Sequence, residues 1–401
     1  MTAIQTAIVA GGGIAGPATA LALRLLGVEV TVYEAHPRTA DGVGGTIAFA
    51  PNGLAALRVL GVDEGVRALA TPLANIYCAI GRKSIPMPSL PDLPPQQVIR
   101  RSDIYRVVRD RAVAEGVRIE YGRRLVDARE TAAGITVTFA DGGTASADVL
   151  IGADGVHSTV RRLIDPDAAR PDYTGMLGFE AVARHRVDLP PDTGIFAFDT
   201  GVHYRCMPSP GGTSWSANLH WKRPMTSAEA RAVPAEEWLR RLYDAFDDDD
   251  LGREFMRTTD PAGLQIVGPL YAMPPVRHWH RGRMVLVGDA VHAPSNVSGQ
   301  GASLAVESAV QLARCLRDLP DVPAAFAAYE RLRRRRVETI AARATRRIKR
   351  LTPSGPATRS MLQTLVPLML KTVLTAERTL APEQRHDIDW DAPVSAKPIA
   401  C

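Results

Sequence analysis

The chain has 401 residues, 46% of them hydrophobic and 23% charged, with a formal net charge of +5. That balance excludes a largely disordered chain and supplies core for about two domains. Cys78, Cys206, Cys315 and Cys401 lie too far apart for metal-ligand or redox spacing, so we expect no metal, no structural disulfide and a reducing, cytoplasmic setting.

Thr6-Ala7-Ile8-Val9-Ala10 is an apolar run of strand type, and Ile14 to Leu26 follows with apolar residues at helical spacing. Gly11-Gly12-Gly13-Ile14-Ala15-Gly16 joins them. Gly11 suits a tight turn, Gly13 lets backbone approach a diphosphate, and Gly16 lets helix and strand pack closely. The diphosphate would sit at the helix N-terminus, where unpaired N–H groups and the dipole favour negative charge. A second strand, Val28 to Tyr33, ends at Glu34, placed to accept the ribose hydroxyls of an adenosine. This much does not distinguish FAD from NAD. The N-terminus enters the first strand without a charged leader or apolar h-region, so no signal peptide is expected.

Arg101 follows the apolar run Val98-Ile99 and precedes Asp103-Ile104. Ile135 to Phe139 alternates, Asp141-Gly142-Gly143 turns, and Thr144 to Ile151 returns, which predicts a hairpin. The returning strand runs into a second glycine-bearing segment, Gly152-Ala153-Asp154-Gly155, whose continuation to Arg161 opens a helix. Residues 171 to 275 carry no nucleotide motif. They hold strand-like runs at Gly194 to Phe198, Val202 to Met207 and Thr213 to Trp221, then a helix near Ala235 to Phe246. Met284 to Val287 is a buried strand entering a third segment, Gly288-Asp289-Ala290-Val291-His292, and Gly299-Gln300-Gly301 opens another helix.

Three such segments in this order and context suggest one long cofactor held at both ends, and here the chain resembles the single-component FAD-dependent aromatic hydroxylases typified by para-hydroxybenzoate hydroxylase. The resemblance covers most of residues 1 to 350, and with no room for a thioredoxin-like extra domain it is to the short members of the family. It implies an α/β fold: a Rossmann-like FAD-binding domain with an inserted sheet-based substrate domain and a C-terminal helical segment. The implied division is 1–75, 98–170 and 276–350 for FAD, 76–97 and 171–275 for substrate, and 351–401 for a C-terminal helix and tail.

Carried over residue by residue, the resemblance assigns Gly11, Gly13, Ile14, Ala15, Gly16 and Glu34 to the ADP portion. It assigns Asp154 to the diphosphate region, Gly288 and Asp289 to the ribityl chain or diphosphate, and Arg101 to the same stretch. Gly299, Gln300, Gly301 and Ala302 fall around the flavin ring. The family commonly has Pro four positions after the histidine of the third motif, where this chain has Asn296, and often x-Asn after Gly-Gln-Gly, where this chain has Ala302-Ser303. His292 has two readings, a structural residue behind the flavin loop or a direct participant.

The implied activity is an NADH- or NADPH-dependent monooxygenase that reduces bound FAD, forms a flavin C4a-hydroperoxide with O2, and hydroxylates or epoxidises an aromatic or polycyclic small molecule. The alternative is an FAD-dependent oxidase or reductase on the same fold without oxygen insertion. Asn296, His203, Tyr204, Arg205 and His220 are the candidate substrate-side residues, depending for the strand residues on which face points inward. A histidine near its ordinary pKa would suit a phenol or indole substrate as base.

The basic run from Tyr329 to Arg350 lacks aromatic residues for base stacking, so we read it as the solvated face of a helix, with no nucleic-acid partner. Met361 to Leu374 is too short for a spanning helix and contains Pro367 and Lys371. It reads as a helix packed on the protein, with membrane contact the lesser alternative. Residues 375 to 401 read as a loosely ordered tail, and the protein as a monomer or homodimer.

Overall fold

In the computed structural model the described residues are 4–395, apart from 40, 42–43, 82, 199–200, 247–249 and 352–355, and the side chains of 347–351 and 356–357. Cys401, the last tail residues and the side chains of Arg347 and Arg350 therefore lie outside the described residues.

A six-stranded sheet runs in the order His280–Arg281, Met284–Leu286, Val149–Gly152, Thr6–Ala10, Glu29–Glu34, Arg118–Tyr121. Its strands are parallel except for the first pair. Register places Ala10 beside both Tyr33 and Gly152, and Gly152 beside Leu286. The three glycine-bearing segments thus leave adjacent carboxyl ends of one parallel sheet, where open α/β folds bind ligands. Buried helices Ala15–Arg24 and Gly301–Asp318 pack together, and both contribute to the same core as these strands.

The predicted hairpin needs one correction. The segment from Thr144 to Ile151 is two strands, Thr144–Ala147 in a small antiparallel sheet and Val149–Gly152 in the parallel one. Asp148 makes the break: its carboxylate accepts Gln5 N and Thr6 N at 2.7 and 2.8 Å, steering the chain onto the first strand.

The second large sheet has seven strands, in the order Gln265–Ala272, Asp172–Ala183, Gly212–His220, Val202–Ser209, Thr193–Phe198, Asn75–Ile80, Lys83–Pro86. Helices Ser227–Ala232, Ala235–Ala245 and Leu251–Thr258 follow its central strands. Leu177, Phe179, Tyr204, Cys206, Trp215, Ala217 and Leu219 pack with Trp238, Leu242, Phe246 and Phe255 in one cluster. Because strand side chains alternate, Glu180, His203, Arg205, Ser214, Ser216, Asn218 and His220 occupy the opposite face.

The basic helix, Val322–Leu351, is not simply a solvated face. Arg333 and Glu307 are each 1% exposed and pair at 2.6 Å, while Arg336 reaches Glu307 at 2.8 Å. Arg334 donates to Val276 O and lies over the Trp279 ring. Glu307, hidden in the preceding helix, is the partner that composition did not reveal.

The apolar segment near the C-terminus lies within the helix Pro356–Thr372, which buries Val366 against Cys78, Ile80, Ile85 and Phe198. Residues 375–395 are more ordered than expected. Arg336 donates to Pro382 O and Glu383 O, Arg317 lies over the Trp390 ring, and Ile388 is buried. Among the described residues no helix is long and apolar enough to cross a membrane.

Candidate functional site

The glycines on the floor of the cleft divide by what a side chain would meet. At Gly11, φ is +104° and a Cβ would strike the Ala153 carbonyl; at Gly16 it would strike the Gly11 carbonyl. Those two positions need glycine for close backbone packing. Gly13 is different. A Cβ there would find no non-neighbouring atom nearer than Arg101 Nη2, 3.8 Å away. Gly299, at φ +63°, and Gly301 likewise face open space, with nothing within 4 Å of an added Cβ. These three positions leave room for a ligand along the strand ends.

Glu34 stands at the tip of its strand, accepting Gly12 N at 2.6 Å and His36 N at 2.8 Å. Ile14 is the residue before the first helix and Ala15 its first residue; Gly288, at φ +60°, approaches so closely that a Cβ would lie 2.8 Å from Ala15 Cβ. Asp289 presents exposed surface although protein surrounds it closely. Burial raises its carboxyl pKa while the Arg101 guanidinium pulls it down.

Asp154 is turned toward another task. It accepts Ser158 Oγ at 2.5 Å, Thr159 N at 2.6 Å and Val160 N at 3.1 Å, so its carboxylate caps the helix Thr159–Ile164. Arg161, not singled out from sequence, ties the second motif to the third by donating to Val156 O and Ala290 O.

Beneath the Gly299–Gly301 loop lies a buried polar network. Asn52 Nδ2 donates to Gln300 Oε1 at 3.0 Å and Glu307 Oε1 at 2.6 Å, so the Gln300 side chain points inward and only its backbone borders the open space. Two guanidinium groups hold the Glu307 carboxyl down at about 2 against its burial. His292 Nε2 lies 2.8 Å from Ser308 Oγ, which also accepts Arg333 Nε; burial drives the imidazole to about 3 and keeps it neutral. This is the structural environment of the two readings of His292. Ala302 is half-buried beside the loop, and Ser303 shows why asparagine is absent: a Cβ on Gly53 would already lie 2.5 Å from Ser303 Oγ. The helix Pro51–Val59 passes too close for a larger side chain.

The roof is the face of the seven-stranded sheet opposite its helices. Arg205 donates to Ser216 Oγ at 2.6 Å and to Thr46 O, while the Glu180 carboxylate accepts Thr46 N at 2.7 Å and Thr46 Oγ1. The opposite charges bracket one residue, Thr46, at the start of the strand Thr46–Phe49. Burial lowers the Arg205 pKa and the Glu180 carboxylate opposes it. Asn296 Nδ2 donates to Asn218 Oδ1 at 3.2 Å, joining floor loop to roof. Asn218, Glu180 and Ser216 were not singled out from sequence; only strand alternation with a known inward face could have found them.

His203 packs edge-on to Phe198 and His220, with ring centroids 5.3 and 5.1 Å away. Burial drives His203 to about 4 and lowers His220, so neither keeps the ordinary pKa that a general base would want. Tyr204 is not brought to the cleft. It packs against Phe246 and Phe255 on the helix-covered face, because it is one residue out of phase with His203 and Arg205.

A parallel sheet with a glycine-lined slot at its strand ends, roofed by a second sheet, defines a two-part flavoprotein oxidoreductase. The family model described as FAD binding domain matches residues 4–344, and the chain belongs to that family of FAD-dependent hydroxylases and monooxygenases. It is 30% identical to 3-hydroxybenzoate 6-hydroxylase of Klebsiella oxytoca, covering 79% of this chain and 81% of that one. It is also 30% identical to 3-amino-4-hydroxybenzoate 2-monooxygenase of Streptomyces cremeus, over 78% of each chain. Among solved structures, Klebsiella pneumoniae HpxO in complex with FAD and uric acid matches with a TM-score of 0.78 at 25% identity, over 93% of this chain and 94% of that one.

The floor fits FAD: room at Gly13, Gly299 and Gly301, Glu34 at the strand tip, and Arg101 and Asp289 between them. NAD(P)H as reductant follows from the family.

Proposed function

We propose that the protein hydroxylates or epoxidises an aromatic or polycyclic small molecule, with one oxygen atom of O2 entering product and NAD(P)H consumed. Bound FAD supplies hydride acceptance from the nicotinamide and activation of O2. The chain supplies binding, orientation and exclusion of water. Gly11, Gly13, Gly16, Glu34, Arg101 and Asp289 carry the ADP and ribityl portions, with Ile14, Ala15, Asp154 and Gly288 shaping their bed. The backbone of Gly299 to Ala302 borders the ring, where N–H groups at a helix N-terminus favour the negative charge of the reduced state. Asn296, held by Asn218, positions substrate against the ring, and His203, Arg205 and His220 complete the roof. On this reading residues 1–75, 98–170 and 276–350 form the cofactor half and 76–97 with 171–275 the substrate half.

The observation that supports the reading is the Asn296–Asn218 contact, which ties the loop leading to Gly299 and Gly301 to the second sheet. Three of the relatives act, by name, on hydroxybenzoates and 6-hydroxynicotinate, which supports an aromatic substrate. The test is to purify the yellow protein and measure NAD(P)H oxidation with a panel of aromatic compounds, checking product mass for one added oxygen. A rate independent of every compound, without oxygenated product, would leave the oxidase or reductase alternative standing.

A further inference from the structure

Charge on the roof is in part met from within, where the Glu180 carboxylate opposes the Arg205 guanidinium. Arg205 is the cation of the central roof strand, and two of its donors go to Ser216 Oγ and Thr46 O while Glu180 accepts from the N–H and hydroxyl of that same Thr46. The two imidazoles nearby are kept neutral by their surroundings. The remaining wall is apolar: Phe196 and Phe198 join Val297, which follows Asn296 in the floor loop, and Leu362, Val366 and Leu370 of the C-terminal helix in one cluster. That helix is fastened by Gln363, whose side-chain amide donates to Ile80 O at 2.8 Å and whose backbone carbonyl accepts Lys83 Nζ at 2.8 Å. Arg101, the other guanidinium of the cleft, belongs to the Gly13 and Asp289 end of the floor.

Resting on the monooxygenase reading, we infer that this site selects an uncharged, largely apolar aromatic with one small hydrogen-bonding group, and discriminates against aromatic carboxylates. A carboxylate entering the cleft would lose its hydration, and on the central roof strand it would meet one guanidinium, Arg205, two of whose donors are already taken and whose charge the Glu180 carboxylate opposes. A phenol or indole loses far less. Its O–H or N–H can instead meet the Asn296 and Asn218 amides or a neutral imidazole, while Phe196, Phe198 and the C-terminal helix cover the rings. Glu180 is on this account a specificity-determining residue: it keeps the Arg205 charge from reaching substrate.

The test uses the FAD-loaded enzyme and matched probe pairs, 2-naphthol with 6-hydroxy-2-naphthoate and indole with indole-3-carboxylate. Binding is followed by perturbation of the flavin visible spectrum. The neutral member of each pair is expected to bind at least about tenfold more tightly. In Glu180→Gln the gap should narrow by about threefold or more through gain of carboxylate affinity, with flavin content and Tm measured to establish that the variant is loaded and folded. Carboxylates binding the wild-type protein as tightly as their neutral partners would overturn the inference, as would a panel in which no neutral member perturbs the flavin. Either result is distinct from failure of the functional reading, which would show as a protein without flavin or without oxygenated product. The wild-type comparison decides the matter even if Glu180→Gln does not fold.

Discussion

Floor and roof of the cleft are built by different means. On the floor, Gly11 and Gly16 let backbones meet at distances no side chain tolerates, Gly288 packs its backbone on the Ala15 methyl, and Gly13, Gly299 and Gly301 leave space. On the roof, side chains from three adjacent strands meet: Glu180, Arg205 with Ser216, and Asn218, which reaches the floor at Asn296. A floor made of backbone can be written as a short run of glycines. A roof made of alternating side chains depends on which face the helices Ala235–Ala245 and Leu251–Thr258 cover, a choice made by Trp238, Leu242, Phe246 and Phe255 some distance along the chain.

The largest effect is expected below the floor. Glu307→Gln leaves Arg333 and Arg336 without their carboxylate in a buried site, and should cost about 3–5 kcal/mol in denaturant unfolding. The pH dependence has a definite sign. Glu307, held at about 2 against an ordinary 4.5, stabilises the fold fully above about pH 4.5 and loses that contribution as pH falls toward 2. His292, lowered from 6.5 to about 3, makes the unfolded chain the better proton binder between those values, so stability also declines as pH falls through that window. Tm should therefore fall from pH 6.5 downward, and Glu307→Gln should flatten the part below about pH 4.5. An unchanged profile would remove Glu307 from the account.

The next prediction separates floor from roof. Gly13→Val places methyl groups in the slot opposite Arg101 and should weaken FAD binding roughly 100-fold, about 2.7 kcal/mol, with little change in the apoprotein's Tm. Asn218→Ala should keep FAD affinity within about threefold, since Asn218 touches Asn296 and not the slot. Equal loss of flavin from both variants would break the distinction.

Legibility in the sequence followed the same division. The strand at Thr6–Ala10, the helix after it and the Gly288 turn were readable because local periodicity and glycine geometry determine them. Asp148 was not, since its break in the apparent strand from Thr144 to Ile151 comes from hydrogen bonds to Gln5 and Thr6, more than 140 positions away. The Glu307–Arg333 pair hid for a similar reason: a basic run looks solvated until a carboxylate from another helix is placed beneath it. Residues 375–395 read as a loose tail because their anchors, Ile388 and Trp390, are isolated in a polar stretch. Tyr204 was open from the start, because alternation gives two faces and no local rule says which is inward.

Where floor and roof meet, Asn296→Ala should retain FAD but lower oxygenated product per NAD(P)H consumed by about fivefold, with hydrogen peroxide appearing instead. Asn218→Ala should shift the ratio in the same direction and by less, because it leaves the Asn296 amide in place but without its 3.2 Å tether. A ratio unchanged in Asn296→Ala would make Asn296 a loop residue with no part in holding substrate.

The smallest effect tests the face assignment itself. Tyr204 packs against Phe246 and Phe255, one position out of phase with His203 and Arg205. Removing its hydroxyl in Tyr204→Phe keeps the ring in that cluster and should cost no more than about 1 kcal/mol of stability. Substrate-dependent NAD(P)H oxidation and product yield should stay within about twofold of wild type. His203→Asn, on the adjacent position and the opposite face, replaces the ring that packs on Phe198 and His220 and should change substrate affinity by about fivefold. The pair shares a strand, so a backbone disturbance would affect both. If Tyr204→Phe altered product yield as much as His203→Asn, the helix-covered face would have to communicate with the cleft through the sheet, and alternation would no longer explain which residues meet substrate.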